Sequence, residues 1–578
     1  MLSIIEHVFD GNSQIAYSCP GSLVRKSDEA AHVPPQKRPR AMDDFQAAAR
    51  RIIDDYLLHE PIKATLAGLH DHDADVPDLT ADGFHAAGVR AKAYLATLER
   101  FDANRLTAAE RIDHALLVSR FSTDVRELAE LASHRHDPSL YANVAIVGIY
   151  SLLMHDFAPI EERLPSIRAR LEGVPQIVAA AQANLERSPA IWTQIAIEEI
   201  EGGVSFFRSQ VEPLCRGDEL LRAALDNAVA AFDEFSAFLG GPYANRDGKS
   251  FAIGRELFDF KLRNEHLLPY DADSLLAFGE AVLRETIEGL ERTAALIDPS
   301  KAWTQLIESF RTDHPDEGHL LAEYRTGVDA ARRFIIDRGL ATMPPGEVLE
   351  VVETPLFMRP TVPYAAYMPP GPFESRQTGL YYVTPVNERL PVEERAEQML
   401  GHNRHAMLLT NVHEAYPGHH LQLVRANEAK SLVRKLLENT VLIEGWALYC
   451  EQLVLDEGMT DDPRTRLFQL KDQLWRACRV VIDVKLHTGQ MTFDEAVEML
   501  VGVAHLERPN AIGEVRRYTQ SPTQPMSYLT GKQQIMELRE RERRRLGSRF
   551  DLRAFHDRLL SYGSVPVSLI EPTFATAV

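Results

Sequence analysis

From about Asp43 onward, apolar residues recur at every third or fourth position, the spacing that gives a helix one buried stripe. Phe45, Ala48, Ala49, Ile52 and Ile53 form the first such stripe, and the pattern returns through 174–185 and 220–239. Start signals agree with it. Asp271 and Ser274 stand ahead of Leu275, and Thr492 with Glu495 three residues on forms a capping box for a helix predicted over 493–506. A further amphipathic helix is predicted over 431–455.

Around 351–386 this period breaks. Val351, Val352, Tyr364, Tyr367, Tyr381 and Tyr382 stand among Pro355, Pro360, Pro363 and the run Pro369-Pro370-Gly371-Pro372, a mixture of strand formers and breakers that predicts a small sheet. Prolines at this density confine it to an edge strand with long loops, and such an edge can take an extended peptide as its neighbour. Residues 1–40 follow neither period, end in Pro34-Pro35-Gln36-Lys37-Arg38-Pro39-Arg40, and are expected to form a disordered tail. The fold expected is mainly α, a large multi-helix architecture with a small β-sheet near the active site. A helical N-terminal region at 41–345 is integrated with a region at 346–578 holding the sheet, the metal-binding helices and the C-terminal helices.

With 63 basic and 84 acidic residues, the net charge is 63 − 84 = −21, which repels a phosphate backbone and excludes nucleic acid as a partner. Cys19, Cys215, Cys450 and Cys478 show no CxxC spacing, so neither a thiolate metal knot nor a disulfide framework is indicated and a reducing compartment is the default. No run of about 18 apolar residues occurs, nor a basic start followed by a long apolar stretch. The expectation is a cytoplasmic protein with no membrane partner; the oligomeric state is left open.

The chemistry concentrates in Asn411-Val412-His413-Glu414-Ala415-Tyr416-Pro417-Gly418-His419-His420 and in Glu444-Gly445-Trp446-Ala447. Five histidines, His402, His405, His413, His419 and His420, fall within 402–420, where an even spread of all 21 would leave about one. His402 and His405 are read as helix-surface neighbours. In a zinc-peptidase helix, His-Glu-x-x-His sets two imidazoles one turn apart with the Glu beside the reacting water. Here Pro417 stands where the second His belongs. In a straight helix the six residues from His413 to His419 turn about 600° and leave the rings about 120° apart, while His420 returns to the same face about 10.5 Å further along.

Pro417 supplies the distortion. It removes an intrahelical hydrogen bond and pushes Tyr416 out of helical geometry, and Gly418 lets the backbone turn. A bulge over 416–418 is predicted to return His419 to the metal, with His420 facing substrate or supporting a ligand; an exchange of their roles stays open. Glu444, set among Val441, Leu442, Ile443, Trp446 and Leu448, is the predicted third ligand, because an unpaired carboxylate among apolar residues is costly. Glu451 shares its helix face and is either a ligand or a support for one.

At these residues the chain resembles the bacterial family known as domain of unknown function 885, whose hallmark is a segment like His413-Glu414-Ala415-Tyr416-Pro417-Gly418-His419-His420-Leu421-Gln422 followed by one like Glu444-Gly445-Trp446-Ala447-Leu448-Tyr449. The similarity extends to Pro363 through Tyr382, to Arg517-Tyr518 with Ser527-Tyr528, and to Phe550 through His556, covering about 43–571. The resemblance implies a mainly helical, metallopeptidase-like protein related to zinc peptidases whose third ligand is a glutamate.

The function expected is a zinc-dependent metallopeptidase hydrolysing short peptides, with one Zn²⁺ per chain on His413, His419 and Glu444 and with Glu414 as general base. Tyr518 or Tyr528 is a candidate donor to a developing oxyanion, although a core aromatic with a satisfied hydroxyl reads the same. Arg517, with Arg516 and Lys532, is a candidate for holding a substrate carboxylate. His420 and His556 are candidate substrate contacts, and for His556 a structural role is the stronger reading. Two alternatives remain: a zinc-dependent amide hydrolase or amide-forming enzyme acting on a specialised metabolite, and a catalytically silent helical metal-binding protein. Glu414 argues against the last, since a purely structural site needs no base.

Overall fold

Asp44 caps the first described helix, Phe45–Leu58, which buries Phe45, Ala48, Ala49, Ile52, Ile53 and Leu57 along the stripe that its spacing predicts. The structure, a computed structural model, describes residues 44–576 other than 245, 247, 356, 357, 360, 361, 363 and 388–390. The tail expected at 1–40 lies outside the described residues, as do Pro360 and Pro363. Helices dominate the rest of the chain, among them Ile160–Asn184 and Glu219–Phe238 over the two other predicted periods.

Capping residues decide where helices begin, and two predicted spans are corrected by local bonds. The Thr492–Glu495 capping box is present, but its helix is Phe493–Gly502 and stops short of 506. There Leu506 N–H turns back to the Leu500 carbonyl and His505 takes a left-handed φ of 52°. The helix predicted over 431–455 is two, Leu432–Leu436 and Thr440–Asp456, because the Asn439 side chain accepts from Leu442 N–H and caps the second.

The sheet has three strands, β1 (Val348–Glu353), β2 (Ala365–Met368) and β3 (Thr378–Val383), in the order β1-β3-β2. β1 runs parallel to β3 with Val348 opposite Thr378, and β2 antiparallel with Ala365 opposite Val383. A central strand thus exists where only an edge was expected. The prolines 369, 370 and 372 fall in the β2–β3 connection, where no ladder bond is needed.

Alternation along β3 ties the sheet into two cores. Tyr381 and Val383 enter a core that also holds Phe45 and Phe574, while Tyr382 joins one built from helices between 141 and 243. Among the described residues no helix is long and apolar enough to cross a membrane.

Candidate metal centre

The histidine segment folds as two helices, Arg404–Glu414 and His419–Asn427, with residues 415–418 between them. Ala415 N–H still reaches the Asn411 carbonyl, Gly418 N–H reaches back to Val412 O at 3.0 Å, and the Tyr416–Pro417 peptide is cis. A Cβ at Gly418 would collide with the carbonyl oxygens of Val412 and His413, so only glycine fits this fold-back. Trp446 Nε1 donates to Pro417 O at 2.7 Å and ties the break to the helix that carries Glu444. The predicted distortion is therefore a full interruption of the helix.

His413, His419 and Glu444 are all buried, and one donor atom from each lies within 4.8 Å of the other two. Glu444 Oε2 stands 3.6 Å from His413 Nε2 and 3.5 Å from His419 Nε2. These separations are long for hydrogen bonds but close to the roughly 3.3 Å edge expected between ligands with bonds of about 2.0–2.1 Å to one tetrahedral ion. Glu444 Oε2 is buried with no hydrogen bond, which leaves it available to an ion. Burial acts to raise the Glu444 carboxyl pKa, but His419 and His413 overrule it and hold the group low, hence ionised.

Glu451 Oε1 accepts from His413 Nδ1 at 2.8 Å, which turns the Nε2 lone pair toward Glu444. Carboxylate support of a ligating histidine is the usual companion of a metal site. Of the two roles expected for Glu451, its geometry is that of support.

Glu414, half-buried beside His413, makes no side-chain hydrogen bond or ion pair with another described residue. Burial raises its carboxyl pKa, with His419 and His413 pulling the other way. The Tyr528 ring lies 6.2 Å from the His413 ring and stacks on it, while the guanidinium groups of Arg476 and Arg479 lie 5.7 and 4.7 Å from the centre of the tyrosine ring. Tyr528 reaches this position because Gly445 and Gly531 meet where the helices Thr440–Asp456 and Ser527–Leu546 cross; a Cβ on either would strike the other helix.

Other candidates fall outside this constellation and are corrected. The helix restarts at His419, so His420 points about 100° away and is fully buried, with Nδ1 on the Tyr367 hydroxyl at 2.9 Å and Nε2 on Glu347 at 2.8 Å. It has no nitrogen left for substrate or metal. His556 is likewise enclosed, bonded to the Tyr449 hydroxyl and the Leu340 carbonyl, which leaves it the structural role. Tyr518 is fully buried and its hydroxyl donates to Glu514 while accepting from Arg479. Arg517 pairs with the same Glu514 and donates to Gln524. Arg516 pairs with Glu198, and Lys532 is buried against Gln473. His402 and His405 are not surface groups; both are buried, bonded to the hydroxyls of Tyr324 and Thr465.

Sequence reasoning missed Glu347, which joins His420, Tyr416 and Arg332 ahead of β1, and Arg476 and Arg479 beside Tyr528. Glu347 carries no sequence signal, being far from the histidines along the chain. The arginines follow Trp475 on one face of Pro463–His487, a pattern equally common on solvated helices.

Residues 61–573 match the model of a family described as "Bacterial protein of unknown function (DUF885)". No curated protein matches the chain. Among solved structures, that of a candidate lipoprotein of unknown function from Shewanella oneidensis is similar at a TM-score of 0.78 and 28% identity, covering 92% of this chain and 100% of that one. A second, of a candidate lipoprotein from Colwellia psychrerythraea, aligns at a TM-score of 0.76 and 18% identity over 92% of this chain and 98% of that one, a likeness of fold. The first of these overturns the expectation of a cytoplasmic protein with no membrane partner, because a lipoprotein is held at a membrane by covalent lipid and needs no spanning helix. What the geometry carries directly is a buried His/His/Glu set able to chelate a metal in a mainly helical protein. That statement lies closer to the metal-binding alternative than to a peptidase.

Proposed function

The chain belongs to the DUF885 family of bacterial proteins of unknown function, and we propose from its own residues that it is a zinc-dependent hydrolase of amide bonds in short peptides. His413, His419 and Glu444 are its ligands and Glu414 its base. The observation that carries this reading is Glu414 itself: a carboxylate next in sequence to one ligand, half-buried, and bonded to no other described side chain. A site built only to grip an ion has no use for such a group, and three protein ligands leave a fourth position for a reactant.

A zinc ion held there would supply Lewis acidity toward water and a carbonyl. The chain's own part is proton traffic and positioning. Glu414 accepts a proton from the attacking water and returns it to the leaving nitrogen. Glu451 keeps the His413 Nδ1 proton in place, and Tyr528, stacked on His413, is the candidate donor to the developing oxyanion. Glu414→Gln is expected to lower turnover of dipeptides and blocked tripeptides by roughly 10²–10⁴-fold, with zinc content by elemental analysis unchanged. Unchanged turnover removes Glu414 as the base.

A second reading, a helical protein that holds a metal without turnover, draws on the same ligands and on Glu451 and asks nothing of Glu414. Stoichiometric zinc with no hydrolysis of peptides or of non-peptide amides selects it. Activity confined to the non-peptide amides selects a specialised-metabolite enzyme.

A further inference from the structure

Beside the metal centre lies a chamber of about 130 Å³. Leu423 lines it from one turn beyond His419, and Thr440 from one turn before Glu444, so its wall is about 6 Å along each helix from a ligand. Leu57, Leu66 and the prolines after β2 make much of this wall aliphatic. Charged side chains also line it, and nearly all are already engaged. Lys63 pairs with Glu60 and donates to the Tyr56 hydroxyl, and Arg120 pairs with Asp124. Lys435 donates to the carbonyls of Asn427 and Pro372, and Glu265 pairs with Lys261.

Glu438 is the exception. Its carboxyl has no hydrogen bond or ion pair with any described residue, and burial pushes its pKa up to about 7. It occupies the non-helical link ahead of the Asn439 cap, which holds it at the chamber rather than on a helix face. Glu438 is only partly buried and the cations that share its chamber are bonded elsewhere, so its carboxylate is left without a bonded cation and can take one from a ligand.

We propose that this chamber binds a primary ammonium group on an aliphatic stem, with Glu438 as its counter-ion. That the stem belongs to the substrate of the neighbouring centre rests on the hydrolase reading; the binding does not.

Calorimetric titration of the full chain with n-pentylamine, n-pentanol and pentanoate at about pH 8, where an amine and a carboxylate are both charged, tests the proposal. Pentylamine is expected to bind at least about tenfold more tightly than pentanol. Glu438→Gln loses that preference with pentanol affinity unchanged, and Glu438→Asp, which keeps the charge, retains it. Equal affinity for amine and alcohol, no binding of any probe, or a preference that survives in folded Glu438→Gln overturns the assignment. Because no turnover is involved, Glu414→Gln binds pentylamine as the native chain does. A protein with the amine preference but no hydrolysis defeats the hydrolase reading alone, and a hydrolase without the preference defeats the chamber alone.

Discussion

Glu451 contributes no ligand, yet its 2.8 Å contact fixes which His413 nitrogen faces Glu444. Partners of this kind are worth roughly 10–100-fold in metal affinity, so Glu451→Gln should raise the zinc dissociation constant by about that factor in chelator competition; an unchanged constant removes Glu451 from the centre. His556 offers a test by pH. Burial pushes its pKa down to about 4, against about 6.5 in an unfolded chain. Between those values the unfolded chain binds the extra proton, so the neutral ring's contribution is full above about pH 6.5 and is lost as the pH falls toward 4. The stability advantage of the native chain over His556→Gln should therefore shrink by about 3 kcal/mol across that window, measured as unfolding free energies in denaturant. A flat difference shows that the ring is not held neutral. His413 and Glu444 were legible at this scale because their identities and apolar setting are local. His419 was the expected ligand with an exchange for His420 left open, since that choice depends on the residue at which the second helix restarts.

The two breaks that build the centre sit between elements. Residues 415–418 let the rings of His413 and His419 converge, with centroids 4.7 Å apart and planes at 90°, and the link at 437–439 resets the phase of the helix carrying Glu444. Pro417 and Gly418 announced the first break. Asn439 gave a weaker notice of the second, because an apolar period running past it looks continuous. Nothing in the sequence announced that Gly445 and Gly531 face one another, since that pairing joins residues 86 positions apart by number. Gly531→Ala forces the two helices apart and carries Tyr528 away from His413. It is expected to cost about 1–3 kcal/mol, the range for overpacked cores, and to weaken zinc binding in parallel. A melting temperature and zinc affinity equal to those of the native chain would mean that the crossing tolerates a methyl group.

For the whole molecule, the ligands come from three helices, Arg404–Glu414, His419–Asn427 and Thr440–Asp456, so an ion bound to them ties the folded state together and has no equivalent site in an unfolded chain. Removing it with a chelator should lower the melting temperature, and adding zinc back should restore it, the stabilisation reaching about 4 kcal/mol at a thousandfold excess over the dissociation constant. A melting temperature indifferent to chelator and zinc excludes a metal held by these residues. The Shewanella relative sets the scale beyond the chain, since a lipoprotein counts against a location inferred from cysteine usage and the missing apolar run.

The sequence by itself determined the helical character, the caps at Asp271 and Thr492, and the residue types gathered for a metal, because periodicity, capping and ligand chemistry act over a few neighbours. Only the tertiary structure decided that β3 is central, that His420 and His556 are enclosed, that Glu347 and Tyr367 claim the first of them, and that Glu438 faces a chamber. Each of those outcomes depends on which distant surfaces meet, and burial and hydrogen-bond satisfaction are properties of that meeting.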